Sequence, residues 1–353
     1  MNKLKVIINT PDISKTGGVA NFYRCIQDKF SSEIVYNYIG GSSKKSIPLW
    51  YLIRDYINFV KKIIRIKPDI VHLNPSLDKK SIIRDSVFII IARLFSIKIL
   101  VSWHGWKERM QDKISSNPRL FRAFYRNANS MTVLSKDFKI KLENWGIKCP
   151  VFVTTTLYDE KILENLDTQK KGPAKQILFL SRVEKAKGIY TLIDAFARLN
   201  KTHKINLVVA GNGSDLENCK KYTAENKISG VSFEGYVKGE DKTNIFLSSD
   251  IFVLSSESEG MPISLLEAMA FGLAAVVRPV GGIKDFFENG KMGISVESNE
   301  SKELASAIEI IIDNMKLFED ISDYNRNYAP RIFSSNAVAL RIEEIYSKTS
   351  AGN

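Results

Sequence analysis

Short runs rich in Val, Ile and Leu alternate along the chain with stretches whose apolar residues recur every three or four positions. In the first half this pattern predicts strands over Leu4–Asn9, Glu33–Ile39, Asp69–Leu73, Lys98–Trp103, Ser130–Leu134 and Val151–Thr154. Helical periodicity lies between them, near 18–30, 49–66, 80–95, 118–127 and 136–144. The second half repeats the rhythm, with strands over Gln176–Ser181, Ile205–Ala210, Val231–Gly235, Ile251–Leu254, Leu273–Val277 and Gly293–Val296. Strands alternating with helices predict βαβ units and parallel sheets. Runs such as INLVVA (205–210) are nearly continuous in apolar residues, as strands covered on both faces must be.

A chain of 353 residues is too long for one ordinary core. The segment Thr155–Lys175, with Lys170, Lys171, Gly172 and Pro173 near its end, has the composition of an interdomain connection. The expected domains are therefore 1–156 and 174–330. A final helix near Ser335–Ser347, within a segment of about 331–349, is expected to pack back on the first domain after an irregular stretch around Pro330. The fold class is α/β: two doubly wound, Rossmann-like parallel sheets. Such sheets bind ligands beyond the carboxyl ends of their strands. The active site is accordingly expected in a cleft between two facing domains.

Charge changes the picture of the first half. Residues 1–156 hold 27 Lys and Arg against 11 Asp and Glu, a net +16 out of +12 for the whole chain. A basic domain can meet nucleic acid, an anionic membrane or a phosphorylated substrate. No nucleic-acid recognition motif is present in the sequence, which disfavours the first. The helix at 49–66 gathers Arg54, Asn58, Lys61, Lys62 and Arg65 in one stripe, with Trp50, Ile53, Ile57, Val60 and Ile64 on the other side. Two explanations stand: docking on an anionic membrane, or an apolar face packed on the sheet. Three scattered cysteines, Cys25, Cys149 and Cys219, suit a reducing compartment. With no signal-peptide pattern and no apolar run long enough to span a bilayer, the expected place is the cytoplasm, with possible peripheral attachment to the inner face of the plasma membrane.

Candidate chemistry sits where strands end. After the first strand, Gly17 and Gly18 precede a helix; glycine N–H groups and a helix N-terminus suit an anion, though an ordinary turn would look the same. Arg182 and Lys187 follow the strand at 176–181 and could clamp a diphosphate, or belong to a solvated basic loop. His104 ends another strand and could bond a sugar hydroxyl or be packed. His72 and His203 are assigned no function. The AGNGSDLE turn (210–217) lacks the third glycine of a dinucleotide fingerprint and is better explained as a turn onto a helix capped by Ser214 or Asp215. In SSESEGMPISLLEAMAFG (255–272), Pro262 suits the first turn of a helix, and Glu267 follows within it among Leu266, Ala268, Met269 and Ala270. A buried carboxylate needs partners: ribose hydroxyls, a basic side chain, water or a backbone group. Glu259 lies in the loop before it. No DxD, P-loop, zinc-protease or Cys/His metal pattern is present in the sequence.

Together these stretches resemble the glycosyltransferase family 4 group, retaining enzymes with the GT-B fold. The resemblance is carried by TGGVA (16–20), HG (104–105), SRVEKAKG (181–188), AGNG (210–213), FEGYV (233–237), SESEGMPISLLEAMAFG (256–272) and VGGIKDFFENGKMG (280–293). Glu259 and Glu267 match that group's E-x7-E motif. The resemblance implies a nucleotide-sugar donor, a UDP-sugar in preference to a GDP-sugar, bound by the second domain. Glu267 would hold the ribose, Glu259 the donor sugar, and Arg182 and Lys187 the diphosphate. Backbone of Gly235, Tyr236 and Val237 would line the base, and backbone of Gly260, Met261, Pro262 and Ile263, with N–H donors at all but the proline, would reach the sugar or phosphate. Gly17, Gly18 and His104 would act from the other domain. No metal or other cofactor is implied. The implied acceptor is a saccharide or lipid-linked oligosaccharide in bacterial surface polysaccharide synthesis, such as O-antigen or lipopolysaccharide. Alternatives are a GT-B relative with epimerase or phosphorylase chemistry and a non-catalytic glycan-binding subunit. Ser255, the pair Met261–Pro262 and GLAA (272–275) depart from the group's commoner residues, which bears on donor choice.

Overall fold

A computed structural model describes residues 3–15, 17–40, 49–170 and 172–351. Thr16 of the TGGVA stretch and Lys171 of the connection lie outside the described residues. The chain forms two compact units, Met1–Thr156 with Ser335–Asn353, and Leu157–Ser334.

In the first unit the strands are β1 (Lys5–Thr10), β2 (Glu33–Tyr38), β3 (Ile70–Leu73), β4 (Ser76–Leu77), β5 (Lys98–Ser102), β6 (Gly105–Trp106), β7 (Ser130–Val133) and β8 (Val151–Val153). The helices between them are α1 (Gly18–Ile26), α2 (Leu49–Ile66), α3 (Lys79–Leu94), α4 (Glu108–Ser116), α5 (Arg119–Tyr125) and α6 (Lys136–Asn144). Six strands make one parallel sheet in the order β2-β1-β3-β5-β7-β8, and β4 pairs with β6 as a separate short ribbon. The order reverses at β1, whose Val6 faces Ile34 on one side and Ile70 on the other. The helix expected to run to residue 30 ends at Ile26, and Gln27–Lys29 tighten into a 3-10 turn.

The second unit has β9 (Gln176–Leu180), β10 (Asn206–Ala210), β11 (Val231–Gly235), β12 (Ile251–Leu254), β13 (Ala274–Val277) and β14 (Gly293–Ser295). Its helices are α7 (Ile189–Leu199), α8 (Leu216–Glu225), α9 (Gly239–Ser248), α10 (Ile263–Ala270), α11 (Ile283–Phe286), α12 (Ser301–Asp313) and α13 (Met315–Phe333). The parallel order is β11-β10-β9-β12-β13-β14, so the direction of winding reverses between β9 and β12. Helix α7 shows why the covering layer forms: Ile189, Leu192, Ile193, Phe196 and Leu199 recur at helical spacing and are all buried.

Two expectations are corrected. Pro330 does not mark an irregular stretch; it lies inside α13. Proline removes one helical N–H near the end of the helix, and packing outweighs that loss. Ala329 and Phe333 flank it in the core, with the Phe333 ring 5.1 Å from that of Phe286. Nor does α2 seat through its long apolar stripe. Trp50, Ile53, Ile57 and Ile64 are exposed, while Asp55, Phe59 and Ile63 face inward. Phe59 and Tyr56 hold that orientation by edge contacts to Phe88 of α3, at 4.9 and 4.8 Å.

After α13, a single extended residue, Ser334, separates it from α14 (Ser335–Ala351), which belongs to the first unit. Glu343 of α14 accepts bonds from the N–H groups of Ser31 and Ser32, and Thr349 pairs with Ser130 on β7. No described helix is long and apolar enough to cross a membrane.

Buried Asn325 of α13 ties the second unit's sheet to its cover. Its amide Nδ2 donates to the carbonyls of Leu273 and Met292, at 2.9 and 2.8 Å, just before β13 and β14. Asn325→Ala orphans both carbonyls. A loss of about 2–4 kcal/mol is expected, read as a drop of roughly 5–10 °C in thermal midpoint; an unchanged midpoint would contradict this role.

Candidate functional site

The winding reversal of the second unit brings two loops side by side, one after β9 and one after β12. The β9 loop carries Arg182 and ends in a 3-10 turn at Lys185–Lys187. The β12 loop carries Glu259 and leads through Pro262 into α10. Lys187 and Glu259 meet across them: Nζ stands 2.6 Å from Oε1, with side chains only 13% and 11% exposed. Arg182 is more open, and its Nη1 donates to Glu184 at 2.7 Å.

Backbone packing fixes these loops. Glu257 N–H donates to the Ala186 carbonyl, and Gly282 N–H to that of Gly260. Gly188 (φ +77°) leaves no space for a Cβ, which would stand 2.1 Å from Ser255 Oγ. Gly281 (φ +54°) is tighter still, its Cβ falling 1.7 Å from the Glu259 carbonyl. The Glu259 loop is thus gripped on both sides by glycines that only glycine can replace without strain. The AGNGSD turn serves the other loop. Val183 N–H donates to the Asn212 carbonyl, and Lys185 N–H to Asp215 Oδ2 at 2.8 Å. Asp215 stands at the N-cap of α8, but no side-chain cap forms there, contrary to the sequence expectation; its carboxylate is committed to the neighbouring loop instead.

Helix α10 is apolar nearly all round and buried along Leu265–Ala270. Its N-terminus, next to Glu259, leaves the first-turn N–H groups, Ile263 among them, without helical acceptors. This is favourable ground for an anion. Glu267 is 4% exposed, and Lys242 of α9 reaches its Oε1 at 2.6 Å. Burial raises the Glu267 carboxyl pKa above its ordinary value, and Lys242 opposes that shift without cancelling it. The basic bridge anticipated for this carboxylate is therefore Lys242. Its sequence context, GEDK in a polar helix, gave no sign of it. At the end of β11, Gly235 adopts a positive φ; after it, Tyr236 is exposed and Val237 is partly buried.

In the first unit, Gly17 caps α1 and Gly18 opens it. His104 follows β5, and its Nε2–H donates to Asn74 Oδ1 at 2.8 Å. The Tyr23 hydroxyl donates to the same oxygen, while Asn74 Nδ2 donates to the Asn9 carbonyl. Asn74 thus presents only its acceptor to His104 and leaves Nδ1 free of the proton. Burial lowers the His104 pKa to about 4, so the ring is neutral near pH 7. His72 is a core residue, bonded to Tyr346 and Ser102, with its pKa lowered to about 3 by burial. Asn74 and Tyr23 were not singled out in the sequence; a polar residue ending an apolar strand, as in LNPS, is their only trace. Among the described residues, His203, Glu309 and Asp313 form one surface group with metal-ligand chemistry. It shares no residue with the motifs above.

The raised Glu267 pKa has a definite sign for stability. Above the ordinary 4.5, the native state retains a proton that the unfolded state has lost, so stability falls as pH rises through that window. Glu267→Gln should remove this fall, and Lys242→Met should steepen it. Thermal midpoints from pH 4.5 to 8, compared with wild type, check both; parallel profiles for all three proteins would contradict the assignment.

Residues 163–328 match the family model of the glycosyl transferases group 1. An uncharacterized glycosyltransferase of Methanocaldococcus jannaschii is 31% identical over 237 residues, 64% of this chain and 60% of that protein. The lipopolysaccharide core biosynthesis glycosyltransferase LpsE of Rhizobium meliloti is 30% identical over 175 residues, 49% of each chain. The chain thus spans about half to three-fifths of the length of these curated relatives. Among solved structures, Anabaena HepE in complex with UDP aligns over 98% of this chain and all of its own, with a TM-score of 0.77 at 16% identity. The chain therefore has the GT-B fold, and its second unit is where it matches the group 1 glycosyl transferases.

Proposed function

We propose that the protein is a retaining, family 4-type glycosyltransferase that moves a hexose or N-acetylhexosamine from a UDP-sugar to a saccharide or lipid-linked acceptor. The observation that carries this is the Lys187–Glu259 pair at the winding reversal, beside the open N-terminus of α10. A diphosphate needs cations and N–H donors, and a sugar needs a hydrogen-bond acceptor. This loop pair supplies all three within one unit. The UDP carried by HepE and the lipopolysaccharide role in the name of LpsE support the donor and acceptor classes.

In this proposal Glu267 accepts both ribose hydroxyls beside the bond that Lys242 makes to Oε1. The Lys187 ammonium has three donors and spends one on Glu259, so it can hold a phosphate oxygen as well. Arg182, in the same loop, adds a planar fork. Gly235, Tyr236 and Val237 line the base, and the N–H groups of Gly260, Met261 and Ile263 reach the sugar or β-phosphate. In the first unit, His104, neutral and held by Asn74, has Nδ1 to offer a hydroxyl, and Gly17 and Gly18 have N–H groups to offer an anion.

The bond between the anomeric carbon and the diphosphate oxygen breaks first, with negative charge gathering on the phosphate. Lys187, Arg182 and the α10 N-terminus stabilise that charge without a metal. The acceptor oxygen then bonds the anomeric carbon on the same face and yields its proton to the departing phosphate. Neither glutamate forms a covalent bond. The cytoplasm, with attachment to the inner face of the plasma membrane, is the setting in which a soluble donor meets a lipid-linked acceptor. A non-catalytic or epimerase role has no observation in its favour.

Three measurements test the proposal. UDP and UDP-sugars should raise the thermal midpoint more than GDP and GDP-sugars. Lys187→Ala should cut turnover about 10²–10³-fold. A chelator should leave turnover unchanged. Absence of any nucleotide shift, full activity in Lys187→Ala, or metal-restorable loss would each overturn the corresponding step.

A further inference from the structure

The helical layer formed by α2, α3 and α5 distributes its side chains unusually. These helices pack in series: Tyr56 and Phe59 of α2 on Phe88 of α3, and the Tyr125 hydroxyl of α5 donating to the Ile82 carbonyl of α3. The exposed row of α2 has counterparts at Ile83, Ile90 and Leu94 of α3 and Leu120 of α5, each half-exposed or more. The only carboxylates of the three helices, Asp55 and Asp85, are buried and paired with Arg54 and Arg84. Lys61, Arg65, Arg93, Arg119 and Arg122 are exposed and, among the described residues, have no carboxylate partner. The outer side of this layer therefore offers only apolar groups, cations and neutral polar groups.

Helix α5 sorts the two kinds. Arg119, Arg122 and Arg126, at three- and four-residue spacing, join Gly146 and Lys148 around an open cavity of about 360 Å³ with no acidic residue in its wall. Gly146 lets the Arg122 side chain lie close: a Cβ there would stand 2.9 Å from Arg122 Cδ. Around the same helix, Leu120, Phe121 and Phe124 join Ile83 and Met110 in an apolar cavity of about 310 Å³. A small free anion has no use for the second cavity, and a purely apolar partner has none for the first. The two cavities flank the same helix, so a surface made of both phosphates and hydrocarbon has a use for each.

We propose that this face docks on an anionic bilayer, with lipid phosphates in the α5 cation cavity and acyl chains against Leu120 and Phe124. It gives the lipid side of the proposed function a physical surface. It is tested without any donor, so its failure and that of the sugar-transfer reading are separable.

The full chain should float with vesicles of phosphatidylglycerol and phosphatidylcholine at physiological salt, and remain behind with phosphatidylcholine alone. Replacing Arg119, Arg122 and Arg126 by Glu together should cut the partition coefficient at least about a hundredfold. Leu120→Ser with Ile83→Ser should weaken flotation while the charge is kept. Both variants should retain the wild-type thermal midpoint and its shift with UDP, which shows that they are folded. No flotation of wild type, or undiminished flotation of the triple variant, overturns the proposal. So does stabilisation by inorganic phosphate in a protein that does not float, which would make the cavity a small-anion site.

Discussion

A parallel sheet sets the carboxyl ends of its strands along one edge, and a change in winding direction separates two neighbouring loops at that edge. Everything chemical in the second unit follows from this constraint. The loops after β9 and β12 become neighbours although about 70 residues separate them in sequence, and they bring Lys187 to Glu259. Close backbone approach at Gly188 and Gly281 then removes most of the freedom the Glu259 loop would otherwise have. The AGNGSD turn does the same for the Arg182 loop through Asp215. A preorganised loop pair spends little on ordering when a ligand arrives.

Buried titratable groups are the second constraint, and they are accommodated in two ways, by pairing and by neutrality. Glu267 stays in an apolar helix because Lys242 partners it, and its raised pKa shows that the partnership does not fully offset burial. Removing one member of such a pair leaves the other uncompensated, which costs more than the pair contributes. A ligand that donated hydroxyls to this carboxylate while Lys242 kept its bond to Oε1 would add hydrogen bonds without breaking the pair. The His104 ring avoids the problem: burial keeps it neutral, and Asn74 supplies an uncharged acceptor.

Much of the fold was legible in the sequence because parallel strands, buried on both faces, leave continuous apolar runs. The motifs at strand ends were legible for the same reason: the ends of those runs are where polar residues cluster. What stayed hidden depends on contacts between distant residues. Lys242, Asp215 and Asn74 are ordinary residues locally, and each matters only through a partner 25 to 30 positions away. Pro330 misled because a local penalty was outweighed by Ala329 and Phe333 in the core. Helix α2 misled in another way. Its periodicity marks two faces but does not say which one meets the sheet, and Phe59 with Ile63 decided it.

That orientation reverses the usual economy of an amphipathic helix. If Trp50, Ile53 and Ile57 were the sheet-facing row, Asp55 would be a solvated acid among exposed bases. Turned as it is, α2 buries Asp55, which accepts from the Gly40 N–H and pairs with Arg54. The acid is thereby withdrawn from the surface and the hydrocarbon left on it. Asp85 repeats the arrangement on α3, buried against Arg84. Hiding a carboxylate while exposing isoleucine and tryptophan is unfavourable in water on both counts. It becomes favourable where the surroundings are apolar and negatively charged, because exposed hydrocarbon then gains contacts and a surface free of acid meets no repulsion. Two helices of one layer make the same choice, and the proposed docking on an anionic bilayer is what would account for it.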